Sequence, residues 1–104
     1  MKNAEAILFV KFNSTLKPEE LVRVSHEDME IFKSVPGLLQ KYYIAEESTG
    51  ALCGFYIFET REDRAFFWKS ELAKNIPARY GVIPDSLRVE EYEMVIVLND
   101  VLLV

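Results

Sequence analysis

The distribution of apolar and polar residues divides the chain into six regular pieces separated by turn-forming residues. Four short runs are rich in β-branched and aromatic residues, as strands are, and two longer stretches repeat their apolar residues at helical spacing. The predicted strands cover residues 5–13, 38–47, 51–59 and 87–98, and the predicted helices cover residues 19–35 and 61–75. This is the ferredoxin-like order β-α-β-β-α-β, so we expect an α+β fold with a four-stranded antiparallel sheet.

Turn and cap residues mark the ends of these pieces. Pro36-Gly37 is expected to end the first helix. Ser48-Thr49-Gly50 is short and contains glycine, which favours a hairpin between the second and third strands. Thr60 followed by Asp63 resembles a capping box at the start of the second helix. A length of 104 residues predicts one domain that spans residues 1–104.

The strands are apolar on both of their faces. In the first strand Ile7 and Phe9 lie on one face and Leu8 and Val10 on the other. An antiparallel sheet with one wet face should instead alternate between apolar and polar residues. We therefore expect the face away from the helices to be covered by a second copy of the chain, which makes the protein a homodimer.

Charge and composition exclude several classes of partner. The net charge is −5, and 12 basic residues are scattered among 17 acidic ones, which disfavours nucleic acid and anionic membrane surfaces. No run approaches the roughly 20 apolar residues of a membrane-spanning helix, and no signal peptide is visible, so we expect a cytoplasmic protein. Cys53 and His26 are the only residues of their types, which leaves no zinc site of the usual kind, and Cys53 is expected to be a buried hydrophobe.

Two polar residues interrupt the apolar stripe of the first helix, namely Ser25 and Asp28. A carboxylate there must be hydrogen-bonded, paired or protonated. Asp28 is therefore either a pocket acid between helix and sheet, which would make it a catalytic candidate, or a residue at the edge of the stripe that reaches water or an arginine. His26 lies toward the polar side of the same helix. It is either a solvated surface residue, which is the favoured interpretation, or a general base.

Aromatic residues supply the other candidates. On a single helical wheel Trp68 points inward, as core or as a pocket wall and second catalytic candidate, whereas Phe67 points outward. Tyr42 and Tyr43 are neighbours on one strand, so one should face the helices and the other the partner subunit. Most of this aromatic content is typical of packing, but a part of it suits a site for a small hydrophobic or aromatic molecule. The candidate binding residues are Tyr42, Tyr56, Trp68, Arg79 and Tyr80.

Several strings in the middle half of the chain resemble the dimeric α+β barrel superfamily, and within it most closely the YdhR family of presumed mono-oxygenases. They are Pro36-Gly37-Leu38-Leu39 with Lys41 and Tyr43, then residues 54–60, and then residues 65–72 down to Gly81-Val82. The resemblance implies a homodimer whose two sheets face each other, with a pocket between sheet and helices in each subunit. A haem-degrading branch of the superfamily has a histidine about three turns after its helix tryptophan. Residues 78–80 of this chain, Ala-Arg-Tyr, contain none, so haem degradation is not implied.

The function hypothesis follows from this resemblance. The chain is expected to be a mono-oxygenase-like enzyme without cofactor or metal, in which an electron-rich aromatic substrate itself reduces dioxygen. Trp68, Tyr42, Tyr56 and Tyr80 would orient the substrate, and Asp28 or Arg79 would move a proton or hold an anion. The alternatives are a non-catalytic or stress-related homodimer that binds a small hydrophobic ligand, and a structural subunit with no pocket.

Overall fold

The computed structural model describes residues 4–98, which form one sheet with a layer of helices on one face. The strands are β1 (Ala6–Phe12), β2 (Leu38–Ala45), β3 (Leu52–Phe58) and β4 (Arg88–Glu93). The helices are α1 (Pro18–Lys33), α2 (Arg61–Trp68), α3 (Glu71–Lys74) and α4 (Ile76–Arg79), and a 3₁₀ turn (Pro84–Ser86) precedes β4. None of the helices in this part of the chain is long and apolar enough to cross a lipid bilayer.

The sheet has the strand order β2-β3-β1-β4, and every neighbouring pair is antiparallel. This confirms the predicted α+β ferredoxin-like fold. The hairpin prediction is also correct, since Gly50 N donates to Glu46 O at 2.7 Å and closes the turn between β2 and β3. The predicted last strand was too long, because β4 ends at Glu93. The predicted turn at Asn99-Asp100 and the apolar tail Val101–Val104 lie outside the described residues.

The core lies between the sheet and the helices and is largely aromatic. Alternate residues of β1 are buried against the helices, as period-two patterning requires. The Phe67 ring lies at the centre, with ring centroids 5.2 Å from Tyr56, 5.7 Å from Phe58 and 6.2 Å from Phe32. On α1 the buried residues are Val24, Ser25, Asp28 and Phe32. Ile31, on the same helix, is half-exposed.

A β-bulge in β2 decides which of its side chains face the helices. Leu38 pairs with Phe58, but Gln40 pairs with Ile57, so one extra residue, Leu39, is inserted into β2. Beyond the bulge Lys41 lies opposite the inward-facing Tyr56. Since side chains alternate along a strand, Lys41 and Tyr43 point toward the helices and Tyr42 toward the open face of the sheet.

The region predicted as one helix from residue 61 to 75 contains two short helices, α2 and α3, and α4 follows them from Ile76. Thr60 caps the first, as predicted, by accepting from Asp63 N at 3.0 Å. The break falls at Ser70, whose hydroxyl donates to Phe67 O at 2.5 Å and accepts from Ala73 N at 3.3 Å. A serine that satisfies backbone groups on both sides ends one helix and starts the next.

The expected orientation of Phe67 and Trp68 was therefore wrong. A single wheel over residues 61–75 assumes one continuous phase, and the break at Ser70 removes it. Phe67 is only 1% exposed and fills the core, whereas Trp68 is 36% exposed. Trp68 keeps one ring contact with Phe67, at 6.4 Å between centroids. It covers the outer edge of the core rather than a cavity.

The face of the sheet away from the helices carries many apolar side chains. The Phe55 ring contacts those of Phe9 at 6.4 Å and Tyr42 at 6.3 Å. Ile44 and Tyr92 extend this surface and are about half-exposed. The expected apolar character of both strand faces is thus present, and the homodimer inferred from it stays a prediction.

Candidate functional site

Asp28 is buried inside the helix layer with a complete set of hydrogen bonds. Its side chain lies on α1 and the residue is 7% exposed. The Tyr80 hydroxyl donates to Oδ2 at 3.0 Å. Arg79 donates through Nε to Oδ2 at 3.3 Å and through Nη2 to Oδ1 at 3.2 Å, which makes the contact two-pronged. Asp28 is therefore a paired, buried carboxylate and not a residue open to water.

The segment that carries Arg79 and Tyr80 is held against the loop between β1 and α1. Ser14 Oγ donates to Tyr80 O at 2.6 Å, and Thr15 N donates to Gly81 O at 2.8 Å. Gly81 has a φ of 60°, a left-handed conformation that glycine adopts without strain. The chain turns there immediately after α4. As a result Tyr80 enters the core beneath Asp28.

Arg79 links the buried site to the surface. Its Nη2 also donates to Glu27 Oε1 at 2.7 Å, one residue before Asp28 on α1. Hydrogen bonds from Arg79 and then from Arg23 hold the pKa of Glu27 below its usual value. Arg79 is about half-exposed, so this outer pair is screened by solvent and adds little to stability. Its main effect is to fix the guanidinium above Asp28.

Lys41 enters the same region from β2 and is surrounded by aromatic rings. Its Nζ lies 3.4 Å from the centroid of Phe32, 4.1 Å from Tyr43, 4.7 Å from Tyr56 and 5.9 Å from Tyr80. Ring faces attract a cation, but they do not replace the water that an ammonium loses on burial. Burial lowers the pKa of Lys41 to about 7, and the negative charge of Asp28 opposes that change.

The tyrosines around Lys41 remain protonated over the physiological range. Burial, and then the charge of Asp28, raises the pKa of Tyr43 to about 12. Burial also raises the pKa of Tyr56, and burial together with the hydrogen bond to Asp28 raises that of Tyr80. The Tyr43 hydroxyl is buried and has no hydrogen-bond partner among residues 4–98. No hydrogen bond from the described residues therefore fixes the orientation of this hydroxyl in the site.

Three cavities meet at Tyr43, and Lys41 lines two of them. An inner cavity of about 20 Å³ lies beneath both side chains, against Gly54, Tyr56 and Tyr80. A groove of about 250 Å³, here called the lysine groove, opens outward from Lys41. It is lined by Met29, Phe32, Lys33, Leu38, Leu39, Gln40, Lys41 and Tyr43. A second groove of about 330 Å³ runs along the other side of Tyr43, between α1 and the end of the β2–β3 hairpin, past His26 and Leu52.

The structure brings together some of the residues predicted for the site and separates others. Asp28, Arg79 and Tyr80 form one hydrogen-bonded cluster, and Tyr56 faces it across Lys41. Tyr42 lies on the opposite face of the sheet from Tyr56, and its part in ligand binding stays a prediction. Trp68 lines none of the three cavities that meet at Tyr43.

Sequence reasoning missed Lys41 as a functional residue. A signal was present, because Lys41 and Tyr43 share one face of β2, and Lys41 is the one charged residue in that strand. The sequence expectations for Cys53 and His26 hold. Cys53 is buried, and its burial raises the pKa of its thiol. His26 is exposed. Within residues 4–98 no three His, Cys, Asp or Glu side chains gather as a metal site would require.

Comparison with known proteins gives structural relatives only. No family model matches the sequence, and no curated protein matches it significantly. A protein of unknown function from Nitrosomonas europaea superposes with a TM-score of 0.72 at 14% identity, over 95% of this chain and 97% of its own. A monooxygenase of Streptomyces coelicolor, solved in complex with the ligand nanaomycin D, gives 0.71 at 14% identity, over 97% and 96%. A presumed antibiotic biosynthesis monooxygenase of Bacteroides thetaiotaomicron gives 0.65 at 15% identity, over 98% and 97%.

These similarities extend over nearly the whole of each chain. At such low sequence identity they establish a shared fold and not a shared reaction. The structural neighbours with an assigned or presumed activity include antibiotic biosynthesis monooxygenases, in line with the superfamily resemblance. These neighbours do not point specifically to the YdhR family. The chain therefore has a ferredoxin-like α+β fold of the kind found in these monooxygenase-like proteins.

Proposed function

We propose that the protein is an oxygenase-like enzyme that uses no bound cofactor and acts on a small aromatic or hydrophobic molecule. The observation that carries this proposal is the buried Asp28–Tyr80 pair. It lies on the inner side of the aromatic rings around Lys41, and the lysine groove opens outward from Lys41. A largely apolar groove with a few convergent polar groups is typical of small-molecule sites. The monooxygenase relatives with the same fold support the class of reaction.

The substrate is proposed to lie in the lysine groove with its ring against Phe32 and Tyr43. Flat aromatic molecules gain from offset or edge contacts with such side chains. Tyr56 and Tyr80 form the inner wall, and Arg79, held by Asp28, supplies positive charge on the helix side. Asp28 is a positioning residue here, since it fixes Tyr80 and Arg79 and lines none of the cavities at Lys41. Tyr42 and Trp68 have no role in this arrangement.

The proposed reaction needs no external reductant when the substrate supplies all the electrons. A CH₂ group activated by neighbouring aromatic rings loses a proton and then gives electrons to dioxygen. Both C–H bonds break and a C=O bond forms, while the second oxygen atom leaves as water, so that CH₂ + O₂ gives C=O + H₂O. The protein has to hold the substrate, accept and return one proton, and exclude bulk water from the intermediate.

Oxygen uptake by the purified protein over a panel of polycyclic phenols, quinols and anthrone-type ketones tests the proposal. We expect turnover with at least one of them and a large loss in Met29→Trp, because Met29 lines the lysine groove. Val22→Trp is the matched control, since Val22 lines only the second groove. Clear binding without any turnover would instead favour the alternative, a non-catalytic protein that binds small hydrophobic ligands.

We also propose that two copies pair through the open face of the sheet. The apolar surface around Phe9, Phe55 and Tyr42 supports this, because a monomer rarely exposes a contiguous apolar patch of that kind. Light scattering after size exclusion should give twice the mass of one chain, and Phe9→Glu should give a monomer. Phe66→Glu, on the exposed side of α2, should leave the dimer intact. A monomeric wild type at micromolar concentration would contradict this pairing.

A further inference from the structure

Among residues 4–98, Lys41 is the one lysine that is at least partly buried and has no polar partner, whereas Lys17 and Lys69 are exposed. Lys11, Lys33 and Lys74 each form an ion pair with a glutamate. The Lys41 amino group makes no hydrogen bond and no ion pair within residues 4–98, and four aromatic rings surround it. Lys41 is half-buried, and an ammonium that loses part of its hydration without gaining an acceptor is destabilised, which favours the neutral amine at this position.

The position of Lys41 gives this amine access to a ligand. Its side chain lines both the lysine groove and the inner cavity, as only Tyr43 also does among the described residues. A molecule in the groove therefore meets the amino group directly. The groups that face Lys41 are Asp28 from α1, Tyr43 on its own strand, Tyr56 from β3 and Tyr80 after α4, with Lys33 at the groove's outer rim.

Asp28 is poorly suited to accept a proton from a substrate. Its two carboxylate oxygens already accept from Tyr80 and twice from Arg79, so three of its roughly four lone-pair sites are occupied. It is also absent from the walls of the three cavities that meet at Tyr43. The tyrosines cannot serve as bases, because they carry their protons at neutral pH.

We propose that the Lys41 amino group is the catalytic base of this site and accepts a proton from a weakly acidic O–H or C–H group of an aromatic substrate in the lysine groove. This rests on the proposed function. In the step the nitrogen lone pair takes the proton, the O–H or C–H bond breaks, and its electron pair stays on the substrate as an anion. Lys41 becomes an ammonium that the aromatic rings and the charge of Asp28 stabilise and that pairs with the new anion. The same proton is returned when dioxygen has added and a hydroperoxide forms.

Competitive acylation tests the amine without any knowledge of the substrate. The folded protein is treated with trace acetic anhydride over a range of pH, and each lysine is then quantified by peptide mass spectrometry. Lys41 should acylate with a pH midpoint near 7, the pKa that burial gives it. Lys33 and Lys69, both exposed, serve as internal controls, and a lysine in a model peptide has a pKa of about 10.4. A Lys41 midpoint that coincides with those of the exposed lysines would overturn the proposal.

A chromophoric phenol tests the proton transfer itself. With 4-nitrophenol in the groove, the ratio of phenolate to phenol should be about tenfold higher in the wild type than in Lys41→Met, since a charge partner is removed. Lys69→Met, at an exposed lysine that does not line the groove, should behave like the wild type. Lys41→Arg should retain the bound phenolate, because its charge persists, but should lose oxygen uptake because arginine does not accept a proton. Equal phenolate fractions in the wild type and Lys41→Met would refute the role of Lys41.

These outcomes are separable from those of the proposed function. If Lys41 ionises bound nitrophenol while no compound of the panel consumes oxygen, the oxygenase proposal fails and Lys41 remains a proton-accepting site for phenols. If oxygen is consumed at the same rate by the wild type and Lys41→Met, the oxygenase proposal stands and Lys41 is not its base.

Discussion

The hydrogen bond from Tyr80 to Asp28 offers a quantitative test of the site. Tyr80 is 4% exposed, and its hydroxyl donates to a buried carboxylate at 3.0 Å. A hydrogen bond to a charged group contributes about 1.5–3 kcal/mol, and water cannot readily replace a donor in this setting. Since Arg79 still holds Asp28, we expect Tyr80→Phe to lower the free energy of unfolding by about 2 kcal/mol. For a domain of this size that corresponds to a fall in Tm of roughly 8–16 °C.

Tyr43→Phe is the matched control, because it removes a buried hydroxyl that has no partner among residues 4–98. Loss of an unsatisfied group should leave stability unchanged or raise it. Urea unfolding followed by circular dichroism measures both variants, with an unchanged m-value showing that the compactness of the states is the same. Protein concentration is held constant because self-association would shift the transition. Equal losses in the two variants, or a loss below about 0.5 kcal/mol in Tyr80→Phe, would show that the Asp28 pairing is not a stabilising contact.

Three further predictions concern packing and pH. Gly54→Ala places a Cβ 2.8 Å from the Tyr56 ring and should destabilise the fold by about 1–3 kcal/mol, measured by thermal unfolding. Phe67→Ala should lower the free energy of unfolding by about 3–5 kcal/mol, whereas Phe66→Ala, at a residue 65% exposed, should lower it by less than about 0.5 kcal/mol. Similar losses in the two variants would contradict the observed orientation of α2. The pKa of Lys41 falls from 10.5 in the unfolded chain to about 7 in the folded one, so above pH 7 the unfolded chain binds the extra proton and the free energy of unfolding should rise with pH. This rise, followed by urea titration up to about pH 9, should be absent in Lys41→Met, and an identical slope in the two proteins would contradict the lowered pKa.

The fold could be predicted because its signals are local and repeat along the chain. The run of β-branched and aromatic residues in β1, the glycine-containing hairpin connector and the Thr60 cap each specify one element, and the order of the elements then restricts the topology. Asp28 could be placed inside the helix layer for the same reason, since helical spacing alone puts it on the buried stripe. The prediction of a domain that spans the whole chain is not tested by these observations.

The rest of the site depends on departures from regular geometry that spacing does not reveal. Ser70 interrupts the second helix by hydrogen bonds of its side chain, and the phase that placed Trp68 inward is lost at that point. The partners of Asp28 come from residues 51 and 52 positions later in the chain, which only the folded structure brings near. Lys41 was overlooked because a lysine in a strand is usually a solvated residue, and its enclosure by rings from separate elements is a tertiary property.

The extra residue in β2 also affects how this chain can be compared with others. Leu39 has no partner of its own on β3. Every later residue of β2 therefore faces the side opposite to the one it would face if the same residues formed a strand without a bulge. Loss of this single codon would remove the bulge and leave Lys41 opposite Tyr56, so a related chain without the bulge has its equivalent of Lys41 one position closer to the start of β2. At 12–15% identity, an alignment that misplaces one gap here would equate residues of the enclosed site with residues of the open face. When related sequences are compared, the presence or absence of this extra residue is thus more informative than the identity of any one residue of β2.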